Sequence, residues 1–218
     1  MTGSRQDLPL PPTRWSAEAA SDTRYLERFS TCIETGVDID GEARLADALV
    51  KPGARILDAG SGMGRVGIAL LRRGHDVLAA EPDPTLVAES QRRWPELPVL
   101  TKDILQLDPA AQGSFDLILL VGNVLILIAE GTEVRVLTTL RRLLAPGGRI
   151  LVGFHAAGGP PHGRQGYSWD EFSADVATAG LRAQHHFGGY SLEPAGTRSA
   201  GVPDGAEGEF CVAILAAD

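Results

Sequence analysis

Cysteine is nearly absent: Cys32 and Cys211 are the only two in 218 residues. So few, so far apart, exclude the disulfide framework of a small secreted domain. No CxxC pair or Cys/His cluster points to zinc. Two reduced thiols in a cytoplasmic protein are expected. Long apolar runs are missing too. The most apolar stretch, residues 117–129, is interrupted by Gly122 and Asn123 and is shorter than the roughly 20 residues a spanning helix needs. The first residues, MTGSRQDLPLPPTRW, lack the apolar h-region of a signal peptide. Positive charge is in deficit, with 20 Lys and Arg against 28 Asp and Glu and a net charge of −8. Neither nucleic acid nor an anionic membrane is therefore an expected partner. There is no internal repeat and no low-complexity tract.

What remains is an ordinary globular composition, 44% hydrophobic, at a length that suits one large domain. Residues 1–13 read as a flexible tail and 14–218 as a single domain. Within it, 14–50 form N-terminal helices and 54–218 an α/β core. Trp15, Ala19, Tyr25, Leu26 and Phe29 recur at helical spacing. A second helix fits 41–50, and Lys51-Pro52-Gly53 breaks it.

A regular alternation follows. Strands are expected at 55–59, 76–80, 98–100, 115–121 and 149–154. Helices are expected at 63–73, stopped by Gly74, at 84–93, with Pro84 in the first turn, and at 132–144, with Thr132 as cap. Ala145-Pro146-Gly147-Gly148 reads as a turn. Ser168 and Glu171 form a capping box for a helix ending near Gly180. Strands at 182–192 and 209–216 then follow with no helix between them and should pair antiparallel. This pattern predicts a doubly wound, mostly parallel sheet with helices on both faces. Its ligands bind beyond the carboxyl ends of the strands, after Ala59, Ala80, Leu100, Val121 and Phe154.

At the first of these ends stands Asp58-Ala59-Gly60-Ser61-Gly62-Met63-Gly64-Arg65. Glycines let the backbone turn sharply and approach a ligand. GxGxxG also fits, at Gly62, Gly64 and Gly67, and alone it would suit a dinucleotide. Asp58 argues otherwise. A pyrophosphate is drawn to a helix N-terminus, and a carboxylate just before the glycines opposes it. S-adenosylmethionine brings an ammonium and a sulfonium, both cationic. Glu81 stands twenty-three positions past Asp58, at the next strand end, where a carboxylate can accept from both ribose hydroxyls. Asp103 and the amide of Ile104 can address an adenine edge.

The order LDAGSGMGR, AAEPD, KDI, FDLILLVGN and LRRLLAPGGRILVGF resembles the class I S-adenosylmethionine-dependent methyltransferases, small-molecule branch. The likeness is close over residues 40–155 and holds in outline beyond. It implies a seven-stranded sheet of order 3-2-1-4-5-7-6 with strand 7 antiparallel. It implies that Gly60 and its neighbours Ser61, Gly62, Gly64 and Arg65 hold the methionine moiety. Glu81, with Pro82, would hold the ribose, Asp103 and Ile104 the adenine, and Asn123 would lie near the reactive methyl.

The catalytic residue is unknown from the sequence. Of the candidate bases His155, His162, His185, His186, Tyr25 and Tyr190, His155 is best placed, at the end of the fifth strand. No Asn/Asp-Pro-Pro-aromatic turn follows the fourth strand, where Val121-Gly122-Asn123-Val124 stands, so a small organic acceptor is favoured over a nucleic-acid base. The N-terminal helices and the loop 156–167 should shape its pocket. Residues 15–29, rich in aromatics, would close over the crevice. A nicotinamide-dependent oxidoreductase and a non-catalytic cofactor-binding module remain alternatives at this point.

Overall fold

The protein is described from a computed structural model, which covers residues 10–18, 27, 31, 40–197 and 208–217. Of the expected first helix, Arg14–Glu18 is described (α1), while Tyr25, Leu26 and Phe29 lie outside the described residues, as does Cys32. Gly41–Ala48 (α2) follows. Then come β1 (Arg55–Ala59), α3 (Arg65–Leu71), β2 (Asp76–Ala80), α4 (Pro84–Arg93) and β3 (Val99–Leu100). A single 3-10 turn (Ile104–Gln106) and a short α5 (Pro109–Gln112) lead to β4 (Phe115–Leu120). After it stand α6 (Val124–Leu127), α7 (Glu133–Arg142), β5 (Leu144–Ala157), α8 (Trp169–Thr178), β6 (Leu181–Phe187) and β7 (Glu209–Ala217).

The strands form one seven-stranded sheet of order β3-β2-β1-β4-β5-β7-β6. Strands β1 to β5 pair in parallel, and β7 runs antiparallel between β5 and β6. This is the order the resemblance implied. Burial explains the continuous apolar strands. Ile56, Leu117 and Leu119 pack toward α2 and α3 on one face, and Leu57, Ile118 and Leu120 toward α7 and α8 on the other. A strand covered on both faces shows no alternation.

The local signals hold in several places. Asp83 caps α4 through Thr85 N, with Pro84 in the first turn. Ser168 and Glu171 satisfy each other's amides at α8. Gly74 ends the α3 segment with φ +92.

Four details differ from expectation. Thr132 precedes α7 but does not cap it: its hydroxyl donates back to the Ala129 carbonyl at 2.6 Å. Residues 145–148 are not a free turn but an irregular stretch inside β5. Between the pairs Phe115↔Leu144 and Leu117↔Arg149 the β5 side holds extra residues. Gly148 is required there, since a Cβ would fall 2.8 Å from the Phe115 carbonyl oxygen. Strand β6 ends at Phe187, well before residue 192. Finally, β5 continues to Ala157, so His155 lies within the strand and not at its tip.

Candidate functional site

The loop from β1 to α3 bends over the end of β2. The amides of Gly60 and Ser61 both donate to the Ala80 carbonyl, at 2.8 and 3.1 Å. Gly60 adopts φ +82, and a Cβ on it would lie 2.6 Å from both γ-carbons of Val124. The loop thus runs bare against the first turn of α6. Ser61 Oγ is buried and makes no hydrogen bond among the described residues.

Two buried carboxylates set the electrostatics. Glu81 accepts from Gly62 N through Oε2 and from Asp83 N through Oε1, both at 2.9 Å. Burial pushes its pKa up from 4.5 to about 7, against the pull of the Asp83 and Gly62 amides. Asp58 is 2% exposed, and its Oδ2 makes no hydrogen bond among the described residues. Burial raises its pKa from 3.8 to about 6, opposed by the charge of Arg65 and the Gly67 amide and reinforced by Glu42. Arg65 itself turns to α2, where Glu42 takes it bidentately at 2.7 and 3.0 Å. Such a two-point, partly desolvated pair fixes geometry more than it adds stability.

Beyond the carboxyl ends of β1 to β4 lies a cleft of about 590 Å³, its open mouth included. Of the residues singled out in the sequence, Gly60, Gly62, Glu81, Pro82, Asp103 and Ile104 line it. Asp58, Ser61, Gly64, Arg65, Asn123 and His155 do not. Asp58 stands behind the loop, and Gly64 is the left-handed residue opening α3. The remaining walls of the cleft are Thr13, Leu86, Gly122, Val124, Leu127 and Ile128, together with Trp15 from α1, part of the segment expected to close over the crevice. The α6 residues were hidden in the apolar run 117–129, where a single helical turn has no periodicity of its own. The Gly122-Asn123 interruption was the available signal.

Asn123 has φ +72, in the left-handed region that asparagine tolerates best among side-chain-bearing residues. Its Oδ1 accepts from the His155 amide at 2.9 Å and meets His155 Nδ1 at 3.0 Å. An amide N–H can only donate, so the facing atom is the oxygen, and Nδ1 carries the imidazole proton when the ring is neutral. His155 is 1% exposed and packs edge-on against Phe210. Asn123→Ala should lower stability by about 1–2 kcal/mol through the lost buried acceptor and the strained φ. Chemical denaturation checks this, and an Asn123→Gly variant should recover the backbone part of the loss.

The other candidate bases are dispersed. His162 meets the Trp15 ring at 5.9 Å, His186 stacks on Trp169 at 3.6 Å, and His185 is exposed. Tyr190 packs over Gly153, where a Cβ would collide with its ring. Tyr25 lies outside the described residues.

The chain is similar to known proteins in sequence and in fold. Residues 56–148 match a family described as "Methyltransferase domain". A demethylmenaquinone methyltransferase from Beutenbergia cavernae is 33% identical over 130 residues, 59% of this chain and 52% of that protein. The chain thus spans about half the length of this curated relative. Among solved structures, a TehB-like SAM-dependent methyltransferase from Corynebacterium glutamicum is 32% identical with a TM-score of 0.76, over 92% of this chain and 100% of that one. A 1,6-didemethyltoxoflavin-N1-methyltransferase from Burkholderia thailandensis shares the fold at 20% identity and a TM-score of 0.64, over 97% of this chain and 93% of that one. With its glycine loop, its buried carboxylates and a full-length likeness to the corynebacterial enzyme, the chain belongs to the class I S-adenosylmethionine-dependent methyltransferases.

Proposed function

We propose that the protein transfers a methyl group from S-adenosylmethionine to a small organic acceptor. The cleft carries this reading: it brings Gly60, Gly62, Glu81, Asp103 and Ile104 from three strand ends onto one surface. The residues fit the cofactor. The bare approach of Gly60 to Val124 is a cradle that a Cβ would fill, and Ser61 Oγ is a buried polar atom without a partner among the described residues. Asp58 and Glu81 place negative charge where a cation gains and a pyrophosphate loses.

S-adenosylmethionine supplies, when bound, a methyl group already activated by its sulfonium. The chain has to bind, orient and keep out water. Glu81 has lone pairs left beyond its two backbone partners for the ribose hydroxyls. Asp103 and Ile104 meet the adenine, and the Gly60–Gly64 loop, with Asp58 and Arg65 behind it, meets the methionine. We assign to Asn123 and His155 the positioning of the turn that presents Gly122 and Val124, and to no residue the role of general base. The net charge of −8 favours a small acceptor over nucleic acid. Among the described residues no helix is long and apolar enough to cross a membrane, and we place the protein in the cytoplasm.

Thermal denaturation tests the cofactor. S-adenosylmethionine and S-adenosylhomocysteine should each raise the midpoint, by an amount equivalent to about 2.7 kcal/mol at a hundred times Kd, and NADH should not. A shift with NADH and none with S-adenosylhomocysteine would overturn the reading. Transfer of labelled methyl to a panel of small acceptors then tests the reaction.

A further inference from the structure

We propose that Trp15 is a ligand-binding residue whose indole closes the nucleoside end of the cleft, latched there by Asp83. The proposal rests on the methyl-donor reading above. Helix α1 has five residues, too few to persist by its own hydrogen bonds. It is held instead from three sides. Trp15 Nε1 donates to Asp83 Oδ2 at 2.9 Å, and its ring meets His162. Arg14 donates to the Ile128 carbonyl from its amide at 3.4 Å and its guanidinium at 3.1 Å. Arg14 also lies 3.5 Å from Glu133, which Arg164 contacts at 3.0 Å. These contacts join the β2 loop, the end of α6 and the loop after β5, so α1 spans the mouth like a strap.

Trp15 shares the cleft wall with Pro82, Leu86, Asp103 and Ile104, the side assigned to ribose and adenine. An indole presents a broad flat face, which suits a purine. The latch also touches the ribose carboxylate through one residue. Asp83 takes the indole N–H on Oδ2 and caps α4 with Oδ1, while its own amide donates to Glu81 Oε1. Asp83 is thus a positioning residue for both Trp15 and Glu81.

Calorimetry with S-adenosylhomocysteine and with 5′-methylthioadenosine, which keeps the nucleoside and lacks the amino acid, tests the assignment. Trp15→Ala should weaken both ligands by the same factor, roughly tenfold, in line with the loss of one base–aromatic contact. Trp15→Phe keeps a ring and loses the N–H. Asp83→Asn keeps the α4 cap and loses the carboxylate that receives the indole. Each should weaken both ligands by roughly threefold. The chain has three tryptophans, and the change in tryptophan fluorescence on binding should disappear in Trp15→Phe while binding persists. If folded Trp15→Ala, with an unaltered midpoint when unliganded, binds both with wild-type affinity, the proposal is wrong. Loss confined to S-adenosylhomocysteine would put Trp15 at the methionine end and also overturn it. Wild-type protein that binds neither nucleoside would reject the cofactor reading itself, and this proposal with it.

Discussion

Gly60→Ala should fold and lose about a hundredfold in affinity for S-adenosylhomocysteine. Two effects combine. The new residue must hold φ +82, which costs a side-chain-bearing residue about 1–2 kcal/mol. Its Cβ must also share space with Val124, whose γ-carbons stand 2.6 Å away. Valine is stiff at χ1 and here opens a helix, so it cannot rotate clear. The loop and α6 must separate instead, by a few tenths of an ångström or more. The strain alone lowers the melting midpoint by roughly 5 °C for a domain of this size. Binding falls further, because the displaced atoms are those that cradle the ligand, and a shift approaching 1 Å in a positioning element costs about a hundredfold. Combining Gly60→Ala with Val124→Ala should restore part of the affinity. Calorimetry on the single and double variants decides it: unchanged affinity in folded Gly60→Ala means that this loop does not hold the ligand.

Glu81→Gln should weaken the same ligand by about 1.5–3 kcal/mol, the range for hydrogen bonds to a charged group, and should remove most of the pH dependence of binding. The wild-type dependence follows from burial. With its pKa near 7, Glu81 is mostly protonated at pH 6 and mostly ionised at pH 8. Ribose hydroxyls need the ionised form as acceptor, so affinity should rise about tenfold over that interval. The unliganded protein should behave in the opposite sense. A carboxyl raised from 4.5 to about 7 in the native state binds its proton more tightly folded than unfolded. Its stabilising contribution is complete below pH 4.5 and is lost as pH climbs through 7. Asp58 acts in the same direction between 3.8 and about 6. Ligand-induced midpoint shifts should therefore grow from pH 5.5 to 8, while the unliganded midpoint declines. Affinity that falls with rising pH would refute the ribose assignment to Glu81.

The elements that could be read from the chain are those whose local chemistry and tertiary setting agree. Ser168 and Glu171 specify a helix start that packing leaves untouched. The run Phe115–Leu120 must be buried on both faces and is. Glu81 stands at a strand end because β2 is short and closed by Pro82 and the Asp83 cap. The failures arise where distant groups decide. Thr132 carries the residue type of a cap, but the carbonyl of Ala129 is nearer to its hydroxyl. Residues 145–148 have turn composition, yet the neighbouring end of β4 draws them into the ladder as an irregularity. His155 was placed at a strand tip, and two further residues of β5 pairing bury it. The cleft wall from α6 depends on which way a single helical turn faces, and spacing along the chain carries no such information.

The seat of β7 between β5 and β6 bears on the order of events during synthesis. Of the described strands it is the last made, and it supplies both neighbours with their hydrogen bonds. Until residue 217 has left the ribosome, β5 presents an open edge where a ladder belongs. Phe210, Val212, Ala213 and Leu215, each at most 1% exposed in the finished sheet, are not yet available to complete its core. Strands β1 to β4 and the glycine loop can assemble earlier, but an unpaired β5 edge beside them invites pairing with other chains. Maturation of the molecule is thus tied to its final described strand: ribosome-held chains halted shortly before residue 209 should be rapidly cleaved by added protease, and chains held through a linker added after Asp218, long enough to bring β7 clear of the exit tunnel, should resist.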